Sequence, residues 1–586
     1  MRAWWLVVAV ALGVLGDPAA AEAGACPQAG KSCLASVRHA ARACREACNV
    51  ATDVRGCRAG CHEDRSRGRA LCGTVADPCA FACADPGDAL ECRKAGRSCR
   101  REARADDRVC RRRCRFDDNP LCRAHCARAR GASEAACGYG VVSMIDGVAE
   151  LPDLPTGQPA DLSLIDAAER AVVEAADARA EAIRTRPLRL LIGAPGAQVT
   201  VTQIKHGFDF GIAIDLLKLQ DPNDRAFFTE IATKYIRTAV IENTFKWRRT
   251  EPEQGVYDFV AAEEIVEWAR SLGLTVKGHT LMWGNGPPLS SSGVPSWIVG
   301  LFPDPDLSES EKGELRELMR TWVTESVARF RGRILSYDAT NETLQPFTQW
   351  YIDRLGPEIA EDVFRWAHAA DPDARLVFNE WINEVFTGLP GPFATTVRDR
   401  VLELLGRGVP IDALGQQGHF VPGVAFVGIP VDLSQRTRID DYQVALETLA
   451  ETGLPIHITE TNFIAPDDPE ARAAQAEALM RVWWGHPSVE QIVFWGAWNK
   501  IAGRDEFDVG FWDDDRNITR HGAAILALLN DRWRTRSIET ADADGLVELR
   551  ATIGDYVADW ELDGQPVHAR FRVGHESSVA AVIVAP

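Results

Sequence analysis

The stretch "ILSYDATNETL", residues 334–344, is an apolar run that stops at Asn341 and Glu342, with Thr343 and Leu344 beyond. Acids are common where a strand meets a loop, so the pair alone says little. Its setting says more. Seven further runs of the same kind occur along the chain: "FDFGIAI", "TAVIE", "TVKGHT", "RLVFNE", "DALGQQ", "IHITE" and "IVFWG". Amphipathic stretches of helix length lie between them, such as "AAEEIVEWARSL" and "EARAAQAEALMRVWW". This alternation specifies parallel strands joined by crossover helices. Eight is the number that closes a (β/α)8 TIM barrel of the α/β class, expected over residues 208–533. A doubly wound sheet would want a glycine-rich GxGxxG turn before the first helix, and none is present.

In such a barrel the working side chains project from the C-terminal ends of the strands. Polar residues interrupt the runs at those ends. Glu242, Asn243, Lys246 and Trp247 follow the second run, and His279 and Trp283 follow the third. The fourth ends in Asn341 and Glu342, the sixth in Gln417 and His419, the seventh in Glu460 and the eighth in Trp495. Taken singly, Lys246 is a surface charge, His279 and His419 are satisfied core histidines, and Trp283 and Trp495 fill space. Together they describe one pocket with two opposed carboxylates, amides, imidazoles and aromatic platforms, which is the chemistry of cleaving a sugar chain. That chemistry calls for no cofactor and no metal.

At these residues the chain resembles glycoside hydrolase family 10, the endo-β-1,4-xylanases. The motifs are "IENTFKWRRTEPEQGVYDF", "KGHTLMW", "YDATNETL", "DPDARLVFNE", "GQQGHF", "LPIHITETN" and "IVFWGAW", in family order within residues 187–586. The resemblance implies a retaining hydrolase of xylan with Glu342 as acid/base and Glu460 as nucleophile. It also implies that Asn341 and Gln417 address the sugar beside the nucleophile and that His419 holds the Glu460 carboxylate. Glu242, Asn243, Lys246, His279 and Trp283 would line the glycone side, with Trp495 as a roof. Related readings are a barrel glycanase acting on β-1,4-glucan or a mixed polymer, and a polysaccharide-binding protein without turnover. Four positions depart from the family pattern: Gly284 stands where His is usual, Asn462 and Asn499 where Asp is usual, and Glu380 where Asp is common. Lost charges there are expected to alter the electrostatics around the carboxylate pair.

The rest of the 586 residues, 46% apolar with a formal net charge of −19, has room for more than one domain. Residues 1–23, with one Arg, an apolar stretch and then small residues, read as a secretory leader, so a secreted or periplasmic protein is expected. No later run is long enough to span a membrane. All 16 cysteines fall between Cys26 and Cys137. Their mirror-symmetric spacing, Cys44 with Cys61 inside Cys33 with Cys72, suggests two disulfide-stapled helical hairpins over residues 24–137. That module carries 23 Lys and Arg against 14 Asp and Glu. The excess of charge reads as a solvated helix face, or as a contact with an acidic cell-surface polymer, and nothing points to nucleic acid. Its only aromatics other than His are Phe81 and Phe116, too few for a sugar-stacking surface. A linker is expected over 138–162, a helix and short β lead-in over 163–207, and a small β extension over 534–586.

Overall fold

The computed structural model describes residues 143–144, 153–192, 194–216, 219–287, 293–382, 392–420, 437–502, 509–543, 545–562, 564–574 and 580–583. The leader and the cysteine-rich module lie outside the described residues. Eight parallel strands form a closed barrel: β1 (Asp209–Ile214), β2 (Thr238–Ile241), β3 (Thr275–Trp283), β4 (Ser336–Asn341), β5 (Arg375–Glu380), β6 (Ala413–Phe420), β7 (Ile456–Phe463) and β8 (Val489–Phe494). Each apolar run of the sequence contributes one of them. The ring is sealed where β8 pairs with β1, Gln491 opposite Asp209 through Phe494 opposite Ile212. These strands are covered on both faces, which is why they read as continuous apolar runs: every residue of β2 and of β7 is buried.

The outer helices start where the sequence supplies a cap. Asp166 and Glu169 form a capping box at Ala167–Arg184, and Ser308 and Glu311 form another at Glu309–Arg329. Each such cap is worth about 1 kcal/mol. Helix Ala167–Arg184 precedes the barrel in sequence yet is part of its wall, packed on helix Pro469–Trp484. Arg184 fastens it. Its guanidinium donates to the carbonyls of Trp484, His486 and Val489 at 2.8, 3.0 and 2.7 Å, and lies 4.6 Å from the centroid of the Phe208 ring. Burial lowers its pKa to about 10. Trp484 and Trp533 stack at 4.4 Å, and both face Phe210 near the N-terminal end of β1.

The β lead-in and the β extension turn out to pair with each other. Strand Gln198–His206 lies between Gly554–Leu562 and Arg536–Thr540 in a five-stranded antiparallel sheet, and Thr185–Leu191 lies between Leu546–Thr552 and Ala580–Ile583 in a second sheet. Leu188, Leu190, Val199, Val201, Val547, Tyr556, Phe571 and Val573 fill the space between the sheets as a core of their own. The edge of the larger sheet is Ser143–Met144, a two-residue strand within the stretch expected as a linker, pairing with Arg570 and Ala569. An ion cluster joins sandwich to barrel: Asp555 receives Arg237 at 3.0 Å and Arg572 at 3.1 Å. Burial would raise the Asp555 pKa, but the two guanidiniums outweigh it and hold it low. Among the described residues no helix is long and apolar enough to cross a membrane.

Candidate active site

The C-terminal mouth of the barrel gathers the polar strand ends. Glu342 follows β4 directly and Glu460 lies in β7, and both have left-handed backbone, φ +56° and +57°. A non-glycine residue held there costs of the order of 1–3 kcal/mol and persists only where its surroundings over-determine it. For Glu460 the cause is a double irregularity. The ladder to β8 slips between Ile458 and Thr461, and the ladder to β6 slips between Thr459 and Asn462, so Glu460 stands on a bulge in both directions and is turned into the mouth. For Glu342 the amide donates to Asn379 O at 2.9 Å and the carbonyl accepts the Thr348 hydroxyl, fixing the residue from both sides.

One hydrogen-bond network links the two carboxylates. Trp283 Nε1 donates to Glu342 Oε2 at 2.8 Å, and Gln417 Nε2 faces both Glu342 Oε1 at 3.1 Å and Asn341 Oδ1 at 3.2 Å. Asn379 Nδ2 continues the path, 2.7 Å from Asn341 Oδ1 and 2.7 Å from Glu460 Oε1, with its own carbonyl held by Thr459 at 2.6 Å. The second Glu460 oxygen meets His419 Nε2 at 3.1 Å. His279 Nδ1 lies 4.0 Å from Glu460 Oε1 and is tied by a 2.9 Å contact to Asp338, which also pairs with Lys277 at 2.7 Å. Trp495 stands edge-on to both imidazoles, 5.1 Å from His279 and 6.3 Å from His419 between ring centroids. On the near rim Lys246 Nζ sits 4.8 Å from the Trp283 ring centroid and donates to Asn243 at 3.0 Å. Glu242 is half-buried beside them, its amide on Ile214 O at 3.2 Å.

Glu460 is buried and Glu342 half-buried, and the two differ in acidity. Burial raises the Glu342 pKa, and the negative Glu460 raises it further, against partial relief from Gln417 and Trp283. The effect of Glu460 expected from charge repulsion is present but is the smaller of the two. Burial also pushes Glu460 up, yet His279, His419 and the Asn379 amide together outweigh it and bring the group to about 2.

The mouth thus contains the eleven residues expected from sequence, and it adds Lys277, Asp338, Asn379 and Glu380. Asn379 and Glu380 end the fifth apolar run, where the same rule of polar strand ends applies. The departures now have locations. Gly284 carries no side chain because one would meet Thr348 O at 2.1 Å, where residues 348–350 cross the end of β3. Asn462 faces His419 Nδ1 at 3.3 Å, so its lost charge does adjoin the pair. Asn499 instead accepts the amides of Val509 and Gly510 at 3.1 and 2.7 Å and shapes the loop after β8.

The sequence pattern of glycosyl hydrolase family 10 matches residues 200–517, more than half of the chain and the whole barrel mouth. The chain belongs to glycosyl hydrolase family 10. Among relatives of this family-10 chain, endo-1,4-beta-xylanase B of Thermotoga neapolitana is 29% identical over 53% of this chain and 86% of its own length. Endo-1,4-beta-xylanase 1 of Arabidopsis thaliana is 29% identical over 62% of this chain and 34% of its own. Anti-sigma-I factor RsgI6 of Acetivibrio thermocellus is 28% identical over 66% and 46%. The chain spans less than half the length of these last two. A solved structure, xylanase 10B of Thermotoga petrophila RKU-1 in complex with xylobiose, is similar over 56% of this chain and 94% of its own, at 26% identity and a TM-score of 0.46.

Proposed function

We propose that this protein is an exported endo-β-1,4-xylanase that hydrolyses internal xylosidic bonds by double displacement with retention of configuration. The observation that carries the reading is the pair Glu342 and Glu460, one mouth and one backbone conformation with pKa values pushed in opposite directions. Glu460, ionised, attacks the anomeric carbon. Glu342, still protonated, gives its proton to the glycosidic oxygen as the bond breaks. A covalent glycosyl-enzyme forms, Glu342 is left as a carboxylate, and it then takes a proton from the water that releases the sugar. His419 and Asn379 hold the nucleophile, Trp283 and Gln417 hold the acid, and Asn341 sits between them in reach of a sugar hydroxyl. Lys246, Asn243, Glu242 and His279 line the glycone side beneath Trp495. The named xylanases among the relatives support the substrate class, and the apolar leader supports export. The domain boundaries given above, including the hairpin module as a separately folded unit, belong to the same proposal.

The test is reducing-sugar release from a panel of purified β-glycans, with proton NMR of the first product. Release from xylan in preference to cellulose oligomers, with the β-anomer formed first, supports the reading. An α-anomer formed first means inversion and overturns the two roles. A second reading is polysaccharide binding without turnover. Absence of release from every polymer would favour it.

A further inference from the structure

Glu380 has no part in the mechanism above, yet it is fully buried at the end of β5, directly beneath the turn that carries Glu342. Its hydrogen bonds run to that turn. Leu344 N donates to Oε1 at 2.8 Å, Thr343 Oγ1 to Oε1 at 3.2 Å, and Gln345 Nε2 to Oε2 at 2.8 Å. These are the three residues that follow Glu342. Just before Glu380, Asn379 O accepts the amide of Glu342 itself at 2.9 Å. The end of β5 therefore grips the chain on both sides of a residue whose left-handed backbone needs outside support, φ +56°.

We infer that Glu380 is a positioning residue for Glu342, a buried strut whose length sets where the proton-donating carboxyl stands. This rests on the reading of Glu342 as acid/base. Burial, with the nearby Glu342 charge adding to it, pushes the Glu380 carboxyl up to about 8, against the pull of the turn's donors. The strut is therefore neutral at neutral pH and adds no charge beneath the acid. Reach is what matters: an aspartate is one methylene shorter and cannot span the same gap, whereas glutamine is an isostere of the neutral acid. A shift of about 1 Å in a reacting group can cost on the order of a hundredfold in rate.

The experiment compares Glu380→Asp, Glu380→Gln and Glu380→Ala in the full chain, with Glu342→Ala as control, on xylan and on an aryl β-xylobioside with a dinitrophenolate leaving group. A good leaving group needs no proton, so a displaced acid slows xylan and spares the aryl glycosylation step. The expected result is an Asp variant down about a hundredfold on xylan but within about threefold in the aryl burst. Sodium azide should restore its steady state, because the azide anion attacks the glycosyl-enzyme in place of water, needs no base, and releases Glu460 as a glycosyl azide forms. Glu380→Gln should stay within about threefold of wild type on both substrates. Equal losses on both substrates, no response to azide, or a Gln variant worse than the Asp variant overturns the inference. If Glu380→Ala does not fold, the Asp and Gln pair still decides. If Glu342→Ala itself shows no dependence on leaving group, the reading of Glu342 fails first and takes the strut with it.

Discussion

At the ends of β4 and β7 the same residue type stands in the same backbone conformation and arrives at opposite acidity. Burial raises the pKa of both Glu342 and Glu460, so it cannot account for their opposite shifts. The neighbours do. Around Glu342 the partners are neutral donors, an indole and an amide, and the charge that weighs most on it is the negative Glu460. Around Glu460 stand two imidazoles, one of them held in place by the Lys277–Asp338 pair, and a donor amide. The difference teaches that an acid and a nucleophile can be made from one side chain by choosing what lies within about 4 Å of it.

The comparison can be broken outright at β7. Glu460→Ala removes the attacking group and should lower kcat roughly 10⁴-fold or more on every substrate, xylan and aryl xyloside alike. Turnover that survives on either would end the assignment. At β4 the loss should be selective. Glu342→Ala should lower kcat on xylan by about 10²–10⁴-fold, while a good leaving group still departs and the enzyme stalls as a glycosyl adduct visible by mass spectrometry. The charged surroundings of β7 can be tested through their support. Lys277→Met leaves Asp338 buried without its cation, which should cost about 3–5 kcal/mol in denaturant unfolding.

The last effect is a slope against pH, the smallest per unit measured. The folded Glu380 keeps its proton up to about 8, whereas the unfolded chain loses it near 4.5. Between those values the native state binds one proton more than the unfolded state, so stability falls as pH rises, by at most about 1.4 kcal/mol per pH unit for one group. Glu460 has the opposite sign: its contribution is present above 4.5 and is lost as pH falls toward about 2. Unfolding curves for Glu380→Gln from pH 4.5 to 8 should be flatter than those of wild type. An unchanged slope would show that Glu380 is ionised in the fold.

Much of this mouth was legible because strand ends in a parallel barrel announce themselves as polar residues closing apolar runs. Glu342, His419 and Glu460 were found that way. Asn379 and Glu380 obey the same rule, yet the sequence marks only Glu380, as a departure from the family pattern, and nothing in "RLVFNE" alone gives either a role. Lys277 and Asp338 were not legible as partners. Each sits inside a strand, and a buried ion pair between neighbouring strands leaves no period in either. The sandwich was hidden for a related reason: "LRLLIGAPGAQVTVTQIKHGF" and "GLVELRATIGDYVADWELDG" each look like strands and turns, but nothing local says that they are partners.

That partnership has a consequence for how the chain comes into being. Seen from the sandwich, the barrel is an insert placed between strand Gln198–His206 and strand Arg536–Thr540 of one sheet. During synthesis from the N-terminus, Thr185–Leu191 and Gln198–His206 emerge long before any of the strands from Arg536 onward that will flank them. Until then their edges are open to any extended peptide nearby. The sandwich therefore cannot close until the whole barrel sequence has been made, and its closure is a clasp across everything threaded through it.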